Sequence, residues 1–334
     1  VSPYPDHAEG GPSWWNASAE GGVGLPLDWT VLRAWGHAPP RATTRGAGSR
    51  SAPGWQEFHD GNLAGEAIVH QDTAAVGAAV ARQVQVARST GDLGRWDPRW
   101  SRFVANNVGA WMHVERNLGR GLFAEANRRS PTPAHRNAIA LNSMHRIRFG
   151  QNLALLLHTL AEEVPHFEGG AHVRVWQHDP AWAGVRRVTE QLAAVTDWAE
   201  AVFVANIVFE PLVGELFRNH LVQQACLRNG DNITSTVLRT GQRCYAGRDL
   251  RYTTTMFGQL AADREFAMHN LALMDLWLAV WVPPCLDAAR QLQTLWSQPP
   301  VAPPRFEDGL DRARTRLALV LTDLGLDRPE ELNR

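Results

Sequence analysis

From about residue 64 onward, apolar residues recur every three or four positions, the period of an amphipathic helix rather than a strand. The first such stretch covers 66–89. A second opens at Asp97-Pro98, with Asp placed to cap the helix and Pro in its first turn. It carries Phe103, Val104, Val108, Trp111 and Met112 towards Asn127. Ser130-Pro131 marks a third start, running to about Glu163 and stopped by Val164-Pro165. Asp179-Pro180 opens a shorter helix that ends near Val195. Asp197-Trp198-Ala199-Glu200 reads as a capping box, followed by a seam of Trp198, Val202, Ala205, Phe209, Leu212 and Leu216. Pro211 lies inside that helix and is expected to kink it. Asn229-Gly230 stops the pattern and Asp231 caps the next helix, which continues to about Ala262. A further helix is expected from Asp263 to Trp281, broken at Pro283-Pro284, with a short helix to Trp296 and a last amphipathic one over 306–325.

Alternating β-branched runs are scarce. The expected fold is therefore all-α: an antiparallel bundle with additional flanking helices. Three regions follow: an extended N-terminal arm over 1–60, a helical body over 61–298, and a Pro-rich hinge with the C-terminal helix over 299–334. The arm is rich in Pro and Gly yet carries Trp14, Trp15, Trp29, Trp35 and Trp55. Free linkers are poor in aromatics, so these five side chains are candidate contacts with a partner chain or with the body itself.

Charge narrows the chemistry. Net charge is −1 at pH 7, so no global positive field exists to hold nucleic acid or anionic lipid. All 33 basic residues are Arg, which excludes Lys-based chemistry such as a Schiff base or a phosphate-loop Lys. Cys226, Cys244 and Cys285 are widely spaced and fit buried thiols in a reducing compartment. The opening Val1-Ser2-Pro3-Tyr4-Pro5-Asp6 lacks the basic and apolar regions of a secretory signal. Apolar runs are interrupted, by Glu210 and Pro211 or by Asp275, before reaching the ~18–20 residues of a membrane span. A soluble, cytoplasmic protein is expected, with no nucleic-acid or membrane partner.

Long helices with carboxylates and His invite a di-iron test, which needs a Glu from each of two helices and Glu-x-x-His from two more. Glu163-Val164-Pro165-His166 has that spacing, but Pro165 puts it at a helix end. Glu265 is followed by Met268 and His269, and a thioether is a poor ligand for such iron. His166, His172 and His178 share a loop-like stretch with Glu168 and Asp179. His145 and His158, near Met144, Ile147 and Leu155, are expected as satisfied core residues. Glu210 and Glu215 beside Asn206 are expected to pair with an Arg such as Arg218 rather than to act as catalysts. The residues alone leave open a self-sufficient helical enzyme with altered metal ligands and a helical ligand-binding or regulatory protein.

The run from Asp197 to Glu200 and then Asn206 to Arg218 resembles the hydroxylase β subunit of soluble bacterial multicomponent di-iron monooxygenases, the methane, propane and alkene oxidising group. Supporting stretches are Arg264-Glu265 through His269-Asn270, Asp275 through Pro283, and Leu295 through Pro299. The resemblance implies a ferritin-like fold shared with a catalytic α subunit. It sets Arg146 where α has a metal-binding Glu and Phe149 where α has His, and sets Glu265 and Met268 at the second such motif. It therefore implies no catalytic, cofactor or metal residue in this chain. The di-iron centre would lie in α, with NAD(P)H, FAD and an iron–sulfur cluster in a separate reductase. Implied partners are α, a small γ subunit, a regulatory or coupling protein and the reductase. The implied reaction inserts one O₂-derived oxygen atom into a small alkane or alkene.

Overall fold

The computed structural model describes residues 66–130, 133–264 and 266–333. The arm over 1–60, with its five Trp, and Glu265 lie outside the described residues. Among those described there are helices and no strand, as the periodicity predicts. Helix α1 is Glu66–Thr90. Helix α2 runs continuously over 98–129, with π turns, in which hydrogen bonds span five residues, at Val104–Val108 and Asn117–Phe123. Helix α3 is Pro133–Glu163, α4 is Ala171–His178 and α5 is Pro180–Ala193. Helix α6 spans 198–228 and is π-wound over Val204–Gln223. Helix α7 spans 232–261 with a π turn at Tyr245–Asp249. Helix α8 is Ala267–Gln291, continued by a 3₁₀ segment Leu292–Ser297, and α9 is Phe306–Asp323.

The helix starts are local chemistry. Asp97 accepts from the Arg99 N–H at 2.7 Å, Asp179 from Ala181 at 2.9 Å, Asp197 from Ala199 at 2.7 Å and Asp231 from Thr234 at 2.8 Å. Each occupies a donor that the first turn would otherwise leave unpaired. Glu200, the last residue of the expected capping box, turns one carboxylate oxygen to the buried Trp281 indole at 2.7 Å.

Helix α3 packs on α2 and α7, while α6 is covered by α7, α8 and α9, and α8 also packs on α5. Aromatic rings fill the joints. Trp111 of α2 stacks on Phe217 of α6 with centroids 4.8 Å apart, and Phe203 meets Phe257 edge-on at 5.0 Å. Pro211 sits inside the π-wound part of α6 without ending it.

Three expectations are corrected. The Pro283-Pro284 break is absent, because both lie within α8. Two prolines cost ~3 kcal/mol each in a helix. Buried Trp277, Trp281, Cys285 and Leu286 on the same helix outweigh this, at ~1.5–3 kcal/mol for each large apolar side chain. The helix Ala267–Ser297 is long and apolar enough to cross a membrane by length and composition, with an 18-residue window of mean hydropathy 1.4. Half of that window is buried inside the body. His158 is not a core residue: its side chain is 71% exposed beside Glu162. The buried stripe of α3 is Leu153, Leu156, Leu157 and Leu160, and one residue past Leu157 the helix has turned outward.

Candidate functional site

Four helices meet at a buried charged centre. Helix α2 supplies Trp111 and Glu115, α3 supplies Arg146 and Phe149, α6 supplies Glu210, Gly214 and Arg218, and α7 supplies Gln242, Tyr245 and Asp249. The spacing explains the convergence. Trp111 and Glu115 are four apart, and so are Glu210, Gly214 and Arg218, so each set shares a helix face. Gly214 is required there, because a Cβ would stand 2.7 Å from Glu210 Cδ and 3.0 Å from Arg218 Nη1.

The charges alternate. Arg146 Nη1 donates to Glu115 Oε2 at 3.3 Å and to Glu210 Oε1. Arg218 grips Glu210 through Nη1 at 3.3 Å and through Nη2 at 2.5 Å, and its Nη1 lies 3.7 Å from Glu115 Oε1. Trp111 Nε1 donates to Glu115 Oε1 at 2.6 Å, and the Arg218 guanidinium lies over the Trp111 ring at 5.4 Å. Glu115 and Glu210 have no exposed surface, Arg218 has 1% and Arg146 has 4%. Arg218 reaches Gln242 at 3.4 Å, and Gln242 passes the chain to Glu215 at 2.8 Å. The expectation that Glu210 pairs with Arg218 holds; Asn206 belongs instead to a neighbouring layer.

Burial pushes the carboxyls up and the guanidinium groups pull them down. For Glu210, held by both arginines, the arginines win and its pKa is lowered. Glu115, reached at longer range, stays above the usual carboxylate range because burial prevails. The remaining cavity, about 10 Å³, has room for one water molecule.

One helical turn away lies a neutral layer. Asn206 Nδ2 donates to Asn142 Oδ1 at 2.7 Å and Thr253 Oγ1 at 2.9 Å, and the Tyr252 hydroxyl donates to Asn142 Oδ1 at 2.9 Å. His145 Nδ1 meets Asp249 Oδ1 at 2.8 Å with only 10% of its side chain exposed, as expected of a satisfied core histidine.

Arg146 and Phe149 sit in this centre, but Met268 is 87% exposed at the start of α8. Met268 therefore does not join Arg146 in the centre. The helix facing Arg146 is α7, a register that depends on how distant helices pack. Glu115, Gln242, Tyr245 and Asp249 were missed. The one-turn spacing of Gly241, Tyr245 and Asp249 was a usable signal. His172 pairs with His113 at 3.0 Å, while His166 and His178 are exposed. Glu163 ends α3 and bonds Arg88 at 2.7 Å, and His166 lies beyond the helix.

This donor set does not fit a di-iron group. The Glu115 and Glu210 oxygens are committed to guanidinium and indole N–H groups, and Arg, which stays protonated, brings fixed positive charge into the space. Among the described residues, no three or more His, Cys, Asp or Glu are grouped to hold an ion.

Residues 70–264 match the family model described as Methane/Phenol/Alkene Hydroxylase. The propane 2-monooxygenase hydroxylase component small subunit of Mycolicibacterium smegmatis (strain ATCC 700084 / mc(2)155) is 39% identical over 339 residues, covering all of this chain and 85% of its own. The same subunit of Rhodococcus jostii (strain RHA1) is also 39% identical, over 338 residues and with the same coverage. A chain of the xenon-pressurized phenol hydroxylase from Pseudomonas sp. OX1 shares the fold, with TM-score 0.70 at 20% identity, over 82% of this chain and 79% of that one. With the family model covering more than half of its residues, the chain belongs to the methane/phenol/alkene hydroxylase family, as a hydroxylase β (small) subunit of a soluble di-iron monooxygenase.

Proposed function

We propose that this chain scaffolds a catalytic di-iron α subunit in the cytoplasm, within a monooxygenase that oxidises a small alkane such as propane. The observation that carries the reading is a 39% likeness to propane 2-monooxygenase small subunits along the whole chain, joined to a centre whose carboxylates are already neutralised by Arg146 and Arg218. Iron in α supplies the oxygen-activating chemistry. The residues of this chain hold the helices against which α folds. Electrons come from NAD(P)H through a reductase carrying FAD and an iron–sulfur cluster, and a coupling protein and a small γ subunit complete the assembly. The arm over 1–60, with Trp14, Trp15, Trp29, Trp35 and Trp55, wraps α; obligate interfaces are large and aromatic-rich.

The test is co-expression with a tagged α subunit bearing two Glu-x-x-His motifs. The two chains should co-purify at equal stoichiometry, with iron in the complex, and with propane turnover once reductase and coupling protein are added. Stoichiometric iron in this chain purified alone, or failure to co-purify with α, overturns the reading. Removing residues 1–60 should weaken assembly, and full affinity after truncation would remove the arm's role.

A further inference from the structure

A cleft of about 330 Å³ opens where the first turns of α2 meet the start of α5 and the residue after the 3₁₀ segment. That volume lies within the ~300–1,000 Å³ of small-molecule sites. Helix α2 lines it with Arg99, Arg102, Phe103 and Asn106, whose steps of three and four place them on one face. Asp179 and Gln298 belong to the lining from the other two elements.

The base of the cleft is fixed. Phe103 is 2% exposed and stacks on Trp100 with centroids 5.3 Å apart. Asn107, also in the lining, is held on both sides: its Oδ1 accepts from Trp182 Nε1 at 3.1 Å and its Nδ2 donates to Gln298 Oε1 at 2.8 Å. Asn106 and Asn107 fall in the π turn Val104–Val108, a distortion frequent at functional sites.

The inventory of donors and acceptors selects the ligand. Gln298 has given its oxygen to Asn107, which leaves its amide N–H groups to offer. Asp179 Oδ1 is taken by the Ala181 N–H at the start of α5. Against these stand two exposed guanidinium groups, each with five N–H donors and no acceptor. Arg88, Arg95, Arg128, Arg290 and Arg314 each hold a carboxylate, but among the described residues neither Arg99 nor Arg102 does. Both also lie in the first turns of a long helix, whose positive end disfavours cations and attracts anions. Helix dipole and guanidinium groups therefore add in one place, with no acid of the chain to balance the second Arg.

We propose that this cleft binds a small organic anion carrying two or more carboxylate or phosphate groups. Arg99 and Arg102 take its charge, and the amides of Asn106 and Gln298 hydrogen-bond its oxygens. The inference rests on the cleft alone. Its failure leaves the subunit assignment intact, because that is read from co-purification with α.

The test is calorimetric titration of the full-length chain with citrate and, separately, inorganic phosphate, with acetate as the monovalent comparison. Citrate should bind saturably at one site, with a dissociation constant below ~1 mM, and at least tenfold tighter than acetate. At about tenfold excess over that constant, the thermal midpoint should rise by about 3 °C. Arg99→Gln and Arg102→Gln should each weaken citrate at least fivefold, and the double variant should abolish binding. Both side chains are exposed, so the midpoint without ligand should stay unchanged, which separates lost binding from lost folding. Arg305→Gln, away from the cleft, should leave binding intact. Absence of saturable binding by citrate and phosphate, binding that survives the double variant, or an equal loss from Arg305→Gln would each overturn the proposal. Binding of hexaglutamate with citrate and phosphate both inert would give the cleft to an acidic protein segment and would overturn it too.

Discussion

Two adjacent layers of the same helices solve the problem of buried polarity differently. Glu115, Arg146, Glu210 and Arg218 form a layer of full charges, and Asn142, Asn206, Tyr252 and Thr253, one turn away, form a layer of amides and hydroxyls. Asn142 precedes Arg146 by four residues and Asn206 precedes Glu210 by four, so the helices and their spacing are shared. The neutral layer risks only hydrogen bonds when a member is lost. The charged layer risks an isolated ion in a low-dielectric interior, which costs several-fold more. An intact charged cluster need not stabilise more than apolar residues of equal volume, whereas a broken one is severely destabilising.

The largest expected effect follows from that asymmetry. Arg218→Met should cost ~3–5 kcal/mol in denaturant unfolding, because Glu210 loses its two-pronged partner. Adding Glu210→Gln should restore part of the loss, so that the double variant is more stable than Arg218→Met alone. Strict additivity would mean that the two side chains are not coupled, and the description of the centre as one unit would fall.

A lone carboxyl sharpens the contrast. Asp231 is fully buried, caps α7 and accepts from Trp100 Nε1 at 3.1 Å, with no Arg among the groups that shift it. Burial raises its pKa from 3.8 to about 6, the opposite direction from Glu210. For a raised carboxyl, the stabilising contribution is complete below the unfolded value and is lost as pH rises through the folded one. Asp231→Asn, which can keep the capping bond without the charge, should therefore gain up to ~2 kcal/mol over the unaltered chain at about pH 8. That advantage should shrink as pH falls below about 6, in urea titrations at several pH values. A constant difference across that range would show that Asp231 is not neutralised on folding.

In the neutral layer, Asn206→Ala removes bonds to Asn142 and Thr253 and should cost ~1–3 kcal/mol. A loss equal to that of Arg218→Met would erase the distinction between the layers. Smallest of all is Asp97→Ala at the start of α2, where one capping bond at 2.7 Å is lost. It should lower stability by ~1 kcal/mol, with amide hydrogen exchange speeding up only in the first turn.

Helix starts were legible because each depends on neighbours in sequence. Asp97-Pro98 and Asp179-Pro180 announce a cap and a first turn without reference to the rest of the chain. The same local logic failed at Pro283 and Pro284, where tertiary burial of Trp277 and Trp281 kept the helix whole. It also failed at His158, where a one-residue turn of the helix decided between core and solvent.

The sequence by itself determined that this chain would be helical and where most helices begin. Periodicity, capping and residue type are properties of the chain read locally. Only the tertiary structure decided that Glu115 and Arg146 would join Glu210 and Arg218 in one centre, that α7 rather than the start of α8 would face Arg146, and that Met268 would lie in solvent. Those facts depend on the register between helices distant in sequence. That register is set by which apolar faces pack together across the whole core, a global property that no single segment encodes.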